Sequence, residues 1–242
     1  MNPLISTEFD TEQDHLNTEA YARWKGWGDP TCYGPAEKKI WDDLHHLLNI
    51  KAGYSLLEVG FGQGSHLHYA RSKGYLVTGI ETNKTGVEIA KKTGLTVYEG
   101  RLEGAPFIEE KFDAIIAIDV IEHIPLAHLI PFIKNIRSLL TAHGTFLMSF
   151  PNGASPFGRL HQHGDLTHTL AFNRESIEQL CGLTELTLTY FGDYPEYFEL
   201  KTLKQKLKHQ SRLLIRKGIR AAVRAYFDEP LGLSVVAILK KS

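Results

Sequence analysis

Apolar positions along the chain switch between a helical and a strand period, and the switches mark out its elements. Over residues 36–48, Ile40, Trp41, Leu44, Leu47 and Leu48 recur at helical spacing, which predicts a helix with one face on a core. A short apolar strand then runs into Gly60, followed by a helix over 66–73 and a strand over 75–80 that ends at Glu81. The pattern continues with a helix over 85–92, a strand over 95–98, a loop over 100–107 and a strongly apolar strand over 112–118. Next come a helix over 126–140 and a strand over 145–150, closed by Pro151, Asn152 and Gly153. A helix over 174–183 ending at Gly182, a strand over 185–191 and a last strand over 234–239 complete the series. Strands alternating with helices predict an α/β fold, a doubly wound and mostly parallel sheet with helices on both faces. Such sheets gather ligands beyond the carboxyl ends of their strands.

Length and composition narrow the picture. The chain has 242 residues, 43% of them hydrophobic and 23% charged, values that predict one globular domain with additions. No apolar run approaches the roughly 20 residues needed to span a bilayer, and the polar start does not resemble a secretory signal, so the expected location is cytoplasmic. Cys32 and Cys181 form no Cys-x-x-Cys pair, which argues against a disulfide framework, a zinc ribbon or an iron–sulfur cluster.

The chemistry concentrates first in Leu56-Leu-Glu-Val-Gly-Phe-Gly-Gln-Gly-Ser-His-Leu67. Its alternating Gly60, Gly62 and Gly64 let the backbone turn tightly against a ligand, and Ser65 is placed to cap the following helix. Glu58 before the first glycine would repel a pyrophosphate and attract a cation, which favours S-adenosylmethionine over a dinucleotide. Glu81 lies one strand–helix–strand unit further on, at the same sheet edge, where its carboxylate suits two ribose hydroxyls.

Four segments in this order resemble the class I S-adenosylmethionine-dependent methyltransferases: Glu58-Val-Gly-Phe-Gly-Gln-Gly64, Gly79-Ile-Glu81, Phe112-Asp-Ala-Ile-Ile through Asp119-Val-Ile-Glu-His123, and His143-Gly-Thr-Phe-Leu147. The resemblance spans roughly residues 36–192 and implies a Rossmann-like seven-stranded sheet whose last strand inserts antiparallel. It further implies that Glu58, Gly60, Phe61, Gly62 and Gly64 hold the methionine end of the cofactor, with Glu81 and Thr82 at the ribose. Arg101 and Leu102 would lie at the adenine, with Asp119 and Val120 bordering the methyl-transfer cavity; S-adenosylhomocysteine would be the product. Many members of the family place an acidic residue after the glycine that follows the third strand. Here Gly100 is followed by Arg101, so adenine recognition falls to backbone groups or Glu103. The domain boundaries are then an arm over 1–35 and a methyltransferase domain over 36–242, carrying a helical insertion at about 195–232.

Directly after the fifth strand lies His161-Gln-His-Gly-Asp-Leu-Thr-His168. Asp165-x-Thr-His168 followed by Phe172 resembles the substrate loop of bacterial O-methyltransferases associated with surface glycans. Methyl transfer to a hydroxyl needs a group that removes the proton, and histidine suits that task at neutral pH with a carboxylate to orient it. These residues nominate His168 as base and Asp165 as its partner or a substrate ligand, with His163 and His123 in reserve. Two other readings of the cluster stay open. One is a metal site built from His161, His163 and Asp165, where no metal is expected; the other is plain loop hydrogen bonding.

Two flanking segments complete the reading. Tyr21, Trp24, Trp27 and Tyr33, set among glycines and prolines, form either an aromatic lid over the site or an anchor for the arm. Between Leu200 and Phe227 stand nine Lys or Arg and no acid, while the rest of the chain carries −10. Leu200, Leu203, Leu207, Leu213, Leu214, Ile219, Val223 and Phe227 there predict one or two amphipathic helices packed on or near the site, with a break near Gly218. Residues 201–224 are accordingly candidates for contact with the inner membrane face or a phosphorylated glycan carrier, the alternative being a solvated helix face. Nucleic acid is not an expected partner, because the body is acidic and the prolines that accompany amino-group methylation do not follow the fourth strand. The expected acceptor is a sugar hydroxyl of a surface glycan or its precursor. Alternatives are a quinone or secondary metabolite, or a cofactor-binding module without catalysis.

Overall fold

The computed structural model describes residues 19–107, 109–199, 202–224 and 229–242. The predicted lead-in over 1–18 and two apolar positions of the insertion, Leu200 and Phe227, lie outside them.

After the short helix α1 (Glu19–Trp24), α2 (Pro35–Leu48) leads into β1 (Ser55–Val59), α3 (Ser65–Ser72), β2 (Leu76–Glu81), α4 (Lys84–Lys92) and β3 (Val97–Glu99). β4 (Phe112–Ile118), α5 (Leu126–Leu139) and β5 (Leu140–Pro151) follow. The chain closes through α6 (Arg159–Gln162), α7 (Arg174–Thr184), β6 (Leu186–Asp193), α8 (Leu203–Arg224) and β7 (Ser234–Lys241). The strands form one seven-stranded sheet in the order β3-β2-β1-β4-β5-β7-β6. β3, β2, β1, β4 and β5 pair in parallel, and β7 inserts antiparallel between β5 and β6.

Strand alternation divides the core into two layers. Leu57, Ile115 and Phe146 face Ile133, Ile136 and Ile177 on one side, while Leu56, Ile116 and Leu147 face Trp41, Leu44 and Leu67 on the other. The strand order reverses at β1 and β4, and the loops after β1, β2 and β4 open at that switch point.

Several local expectations change. Ser65 does not cap α3: Gly64 holds the cap position at φ 89, and Ser65 Oγ accepts instead from Gln63 Nε2 at 2.7 Å. α7 runs past Gly182 to Thr184 and ends on Glu185 at φ 53. The insertion is one helix, unbroken at Gly218, and it does not pack down as predicted. Leu203, Leu207, Leu214 and Ile215 on it are 73%, 64%, 69% and 62% exposed. An exposed glycine costs a helix only about 1 kcal/mol, too little to stop 22 residues of otherwise good formers. Ion pairs and one ring contact tie α8 to the body: Arg216 pairs with Glu196 at 2.7 Å, Arg220 pairs with Asp193, and His209 lies 5.4 Å from the Phe198 ring.

Candidate active site

A cavity of about 700 Å³ opens over the carboxyl ends of β1, β2 and β4. Its floor is the turn after β1, where Gly60 and Gly62 take φ values of 71° and 60°. A Cβ on Gly60 would stand 2.5 Å from Val120 Cγ2, so only glycine lets these two loops meet. Glu81 fastens the turn, its Oε2 accepting the Gly62 N–H at 2.7 Å and its Oε1 the Asn83 N–H at 2.9 Å. Thr82 Oγ1 adds a second donor to Oε1 at 3.3 Å, burial raises the Glu81 carboxyl despite these donors, and Oε2 keeps acceptor capacity.

Beneath the turn runs a buried relay. His66 Nδ1 lies 3.0 Å from Glu58 Oε2, and His45 Nε2 lies 2.9 Å from His66 Nε2. Nδ1 of His66 donates to the carboxylate, and the two Nε2 atoms share one proton between the rings. Burial, then the neighbouring His66, pushes His45 down to about 3. The relay orients Glu58 at the cavity wall, a role that two helical histidines did not suggest in sequence.

Of the predicted cofactor residues, Glu58, Gly60, Phe61 and Gly62 line the cavity beside β1, and Glu81 and Thr82 line it beside β2. Arg101 and Leu102 line it after β3, with Asp119 and Val120 after β4. Gly64 does not line it. Its added Cβ would meet Ala90 Cβ and Leu95 Cδ1 at 3.1 Å, so this glycine serves packing of α3 on α4. The arm reaches the cavity: Tyr21, Lys25 and Trp27 line it, and Trp27 Cζ2 would stand 3.1 Å from a Cβ on Gly62. Tyr33, by contrast, packs edge-on against Trp41 and Tyr69, so the segment divides into a lid half and an anchor half.

The polar end of the cavity holds Asp119 and His123. Asp119 sits at φ 52, and its Oδ1 accepts from Ser149 Oγ at 3.2 Å. Its surroundings desolvate the carboxyl and raise it, an effect that Lys25 opposes. His168, Asp165 and His163 do not line the cavity. His168 stands behind His123, ring centroids 4.7 Å apart, and Asp165 accepts from Thr167 Oγ1 at 2.5 Å rather than partnering His168. Burial raises the Asp165 carboxyl, but the two Thr167 donors outweigh it and hold the group below its usual range. His163 is exposed.

Glu122 joins this end, and the sequence reading missed it. Its backbone carbonyl accepts Thr169 N at 2.8 Å, Leu170 N at 3.2 Å and Thr169 Oγ1 at 3.1 Å, which draws the 161–168 loop over β4. Its fully buried carboxylate has no hydrogen-bond partner among the described residues. Burial, then the charge of Asp119, raises this carboxyl well above its usual range; burial, then His168, lowers His123 to about 4. Among the described residues, the donor set suited to a metal is Glu122, His123 and His168, within 4.8 Å of one another, rather than His161, His163 and Asp165.

The cavity fits S-adenosylmethionine by chemistry: carboxylates at Glu58, Glu81 and Asp119 for a cationic, hydroxyl-rich ligand, and a glycine turn for close backbone approach. Comparison with known proteins agrees. Residues 57–148 match the family described as "Methyltransferase domain". Among curated relatives, a ubiquinone biosynthesis O-methyltransferase of Histophilus somni is 29% identical over 143 residues, 53% of this chain and 59% of that protein. The methyltransferase GfsG of Streptomyces halstedii is 28% identical over 111 residues, 41% of this chain and 40% of that protein. The chain thus spans about half the length of the curated relatives it matches. In structure, an S-adenosylmethionine-dependent methyltransferase from Archaeoglobus fulgidus superposes with TM-score 0.61 at 15% identity, over 85% of this chain and 95% of that one. The magnesium protoporphyrin IX methyltransferase of Synechocystis, solved with bound S-adenosylmethionine, gives 0.60 at 15% identity over 96% of each chain. The [4+2]-cyclase SpnF gives 0.58 at 18% identity over 84% and 81%, so this fold alone does not specify a reaction.

Proposed function

We propose that this chain, a class I S-adenosylmethionine-dependent methyltransferase by fold and cofactor cavity, transfers the methyl group to a hydroxyl oxygen of a small organic acceptor. The observation that supports this reading is that Asp119 and His123 line the same cavity as Glu58, Gly60 and Glu81. S-adenosylmethionine supplies a methyl carbon activated by a sulfonium. As the oxygen–carbon bond forms and the sulfur–carbon bond breaks, the acceptor proton must leave. Asp119 is placed to take it, held by Ser149 and lining the same cavity. Lys25, 3.6 Å from Asp165, joins the arm to the acceptor loop, so Tyr21, Lys25 and Trp27 shield the reaction from water.

A small acceptor is favoured because two of the similar proteins are named as ubiquinone biosynthesis O-methyltransferases. A sugar hydroxyl is the second reading, favoured by the Asp165-x-Thr-His168 loop over the polar end. The test is a radiolabelled methyl-donor assay against quinols, catechols, glycans, protein and RNA. Label in a quinol, catechol or glycan is the expected result, and label only in RNA or protein would overturn the reading.

The acceptor is met, on this account, at an anionic membrane surface. In α8 the exposed Leu203, Leu207 and Leu214 share one stripe, opposite the face that bonds Asp193 and Glu196. Lysines flank the stripe and no acid interrupts residues 200–227, which suits anionic headgroups and sets two such helices against each other by repulsion.

A further inference from the structure

We propose that Glu122, His123 and His168 bind a divalent transition-metal cation at the polar end of the cavity, where it coordinates the acceptor hydroxyl. The case begins with the Glu122 carboxylate, fully buried with both oxygens unpartnered among the described residues. A buried ionised carboxylate is stable only when something positive or a hydrogen-bond donor faces it. The nearest side-chain nitrogen in an ion-pair geometry is His168 Nε2, at 3.9 Å, too long for a hydrogen bond.

Hydrogen bonds at the far side of each ring decide what the histidines offer. His168 Nδ1 lies 3.0 Å from the Gln162 carbonyl oxygen, which can only accept, so Nδ1 is a donor and the neutral ring that a metal selects holds its lone pair on Nε2. Thr167 Oγ1 donates to Asp165 Oδ1 at 2.5 Å and lies 2.9 Å from His123 Nδ1. With its proton committed to Asp165, the hydroxyl accepts from His123 Nδ1–H, and Nε2 of His123 is the acceptor nitrogen. Two imidazole lone pairs and a carboxylate therefore converge within 4.8 Å. Three acceptors around one point make a cation site, and carbonyl or carboxylate groups behind the histidines are the usual way such ligands are oriented.

One carboxylate and two imidazoles suit Mn²⁺, Co²⁺ or Zn²⁺, and three protein ligands leave positions for an acceptor oxygen. Because His123 lines the cavity, the ion would sit where the acceptor arrives. There it would lower the hydroxyl's affinity for its proton, which passes to Asp119, and hold the resulting oxygen for transfer. The ion's catalytic role rests on the proposed O-methyl transfer; its binding does not.

The test uses tag-free full-length protein stripped with chelator and titrated with Co²⁺, followed by visible absorption, with Zn²⁺ added to displace it. One saturable Co²⁺ per chain, displaced by Zn²⁺, is expected, with binding abolished in Glu122→Gln. Since that variant alters a buried group, Thr167→Val, which touches no proposed ligand atom but removes the shorter of the two Thr167 contacts to His123 Nδ1, at 2.9 Å against 3.3 Å for the carbonyl, provides the second arm. It should weaken Co²⁺ about 10- to 100-fold while the circular dichroism spectrum stays unchanged. No saturable binding, or equal binding in both variants, overturns the site and assigns a proton to Glu122. Methyl transfer to a hydroxyl that persists in excess chelator overturns the ion's role and leaves the function standing. Stoichiometric Co²⁺ binding without methyl transfer to any hydroxyl supports the site and sinks the function.

Discussion

The Glu81 carboxylate accepts the backbone N–H of Gly62 at 2.7 Å across the switch point of the sheet. One side chain at the end of β2 thus shapes the turn after β1 and lines the same cavity. Glu81→Gln should weaken S-adenosylhomocysteine binding about 10- to 100-fold in calorimetry, the scale of one or two hydrogen bonds to a charged group. An unchanged affinity would place the ribose elsewhere.

Gly60→Ala should remove cofactor binding altogether, because its methyl would stand 2.5 Å from Val120 Cγ2 at a φ of 71°. Gly64→Ala should act differently. Its clash is with Ala90 and Leu95 behind the cavity, so it should lower the melting temperature more than the affinity.

Acid should destabilise the fold through His45. Its folded value of about 3 lies below the 6.5 of a free imidazole, so the unfolded chain takes up the proton first. Stability is complete above pH 6.5 and falls as pH drops from there toward 3, by up to about 1.4 kcal/mol per pH unit. Urea unfolding at pH 7 and pH 5 should show this loss in the wild type and a smaller loss in His45→Phe.

Trp27 faces the glycine turn from the arm, so its emission should change when S-adenosylhomocysteine binds. Trp27→Phe should lose most of that signal and release the ligand faster in stopped flow. A full signal in the variant would mean that the arm does not cover the cofactor.

Liposome sedimentation checks the membrane contact. Wild type should bind vesicles containing phosphatidylglycerol and not neutral ones, with binding falling as salt rises. Leu207→Asp with Leu214→Asp should abolish it, and these exposed positions should leave the melting temperature intact. Equal binding to neutral vesicles would remove charge from the account.

Much of this site was legible in the sequence because its parts sit at strand ends. The alternation of apolar residues located β1, β2 and β4, and once these pair in parallel, Glu58, Glu81 and Asp119 must emerge together. The polar end was less legible, since His168 meets Glu122 only through bonds from Thr169 and Leu170 to a carbonyl 47 and 48 residues away. Nothing local marks Glu122 as buried. The same holds for His45 and His66, on separate helices joined by a 2.9 Å contact, and for Trp27, whose place over Gly62 depends on how the arm folds back. α8 was misjudged for another reason: helical periodicity reveals an apolar stripe but not what covers it.

The most direct measurement is nuclear magnetic resonance of the turnover product made with ¹³C-methyl S-adenosylmethionine and the acceptor found in the panel. The expected product is a methyl carbon bonded to oxygen, formed by wild type and lost in Asp119→Asn while the cofactor still binds. A methyl carbon on nitrogen, or undiminished product from Asp119→Asn, would contradict it.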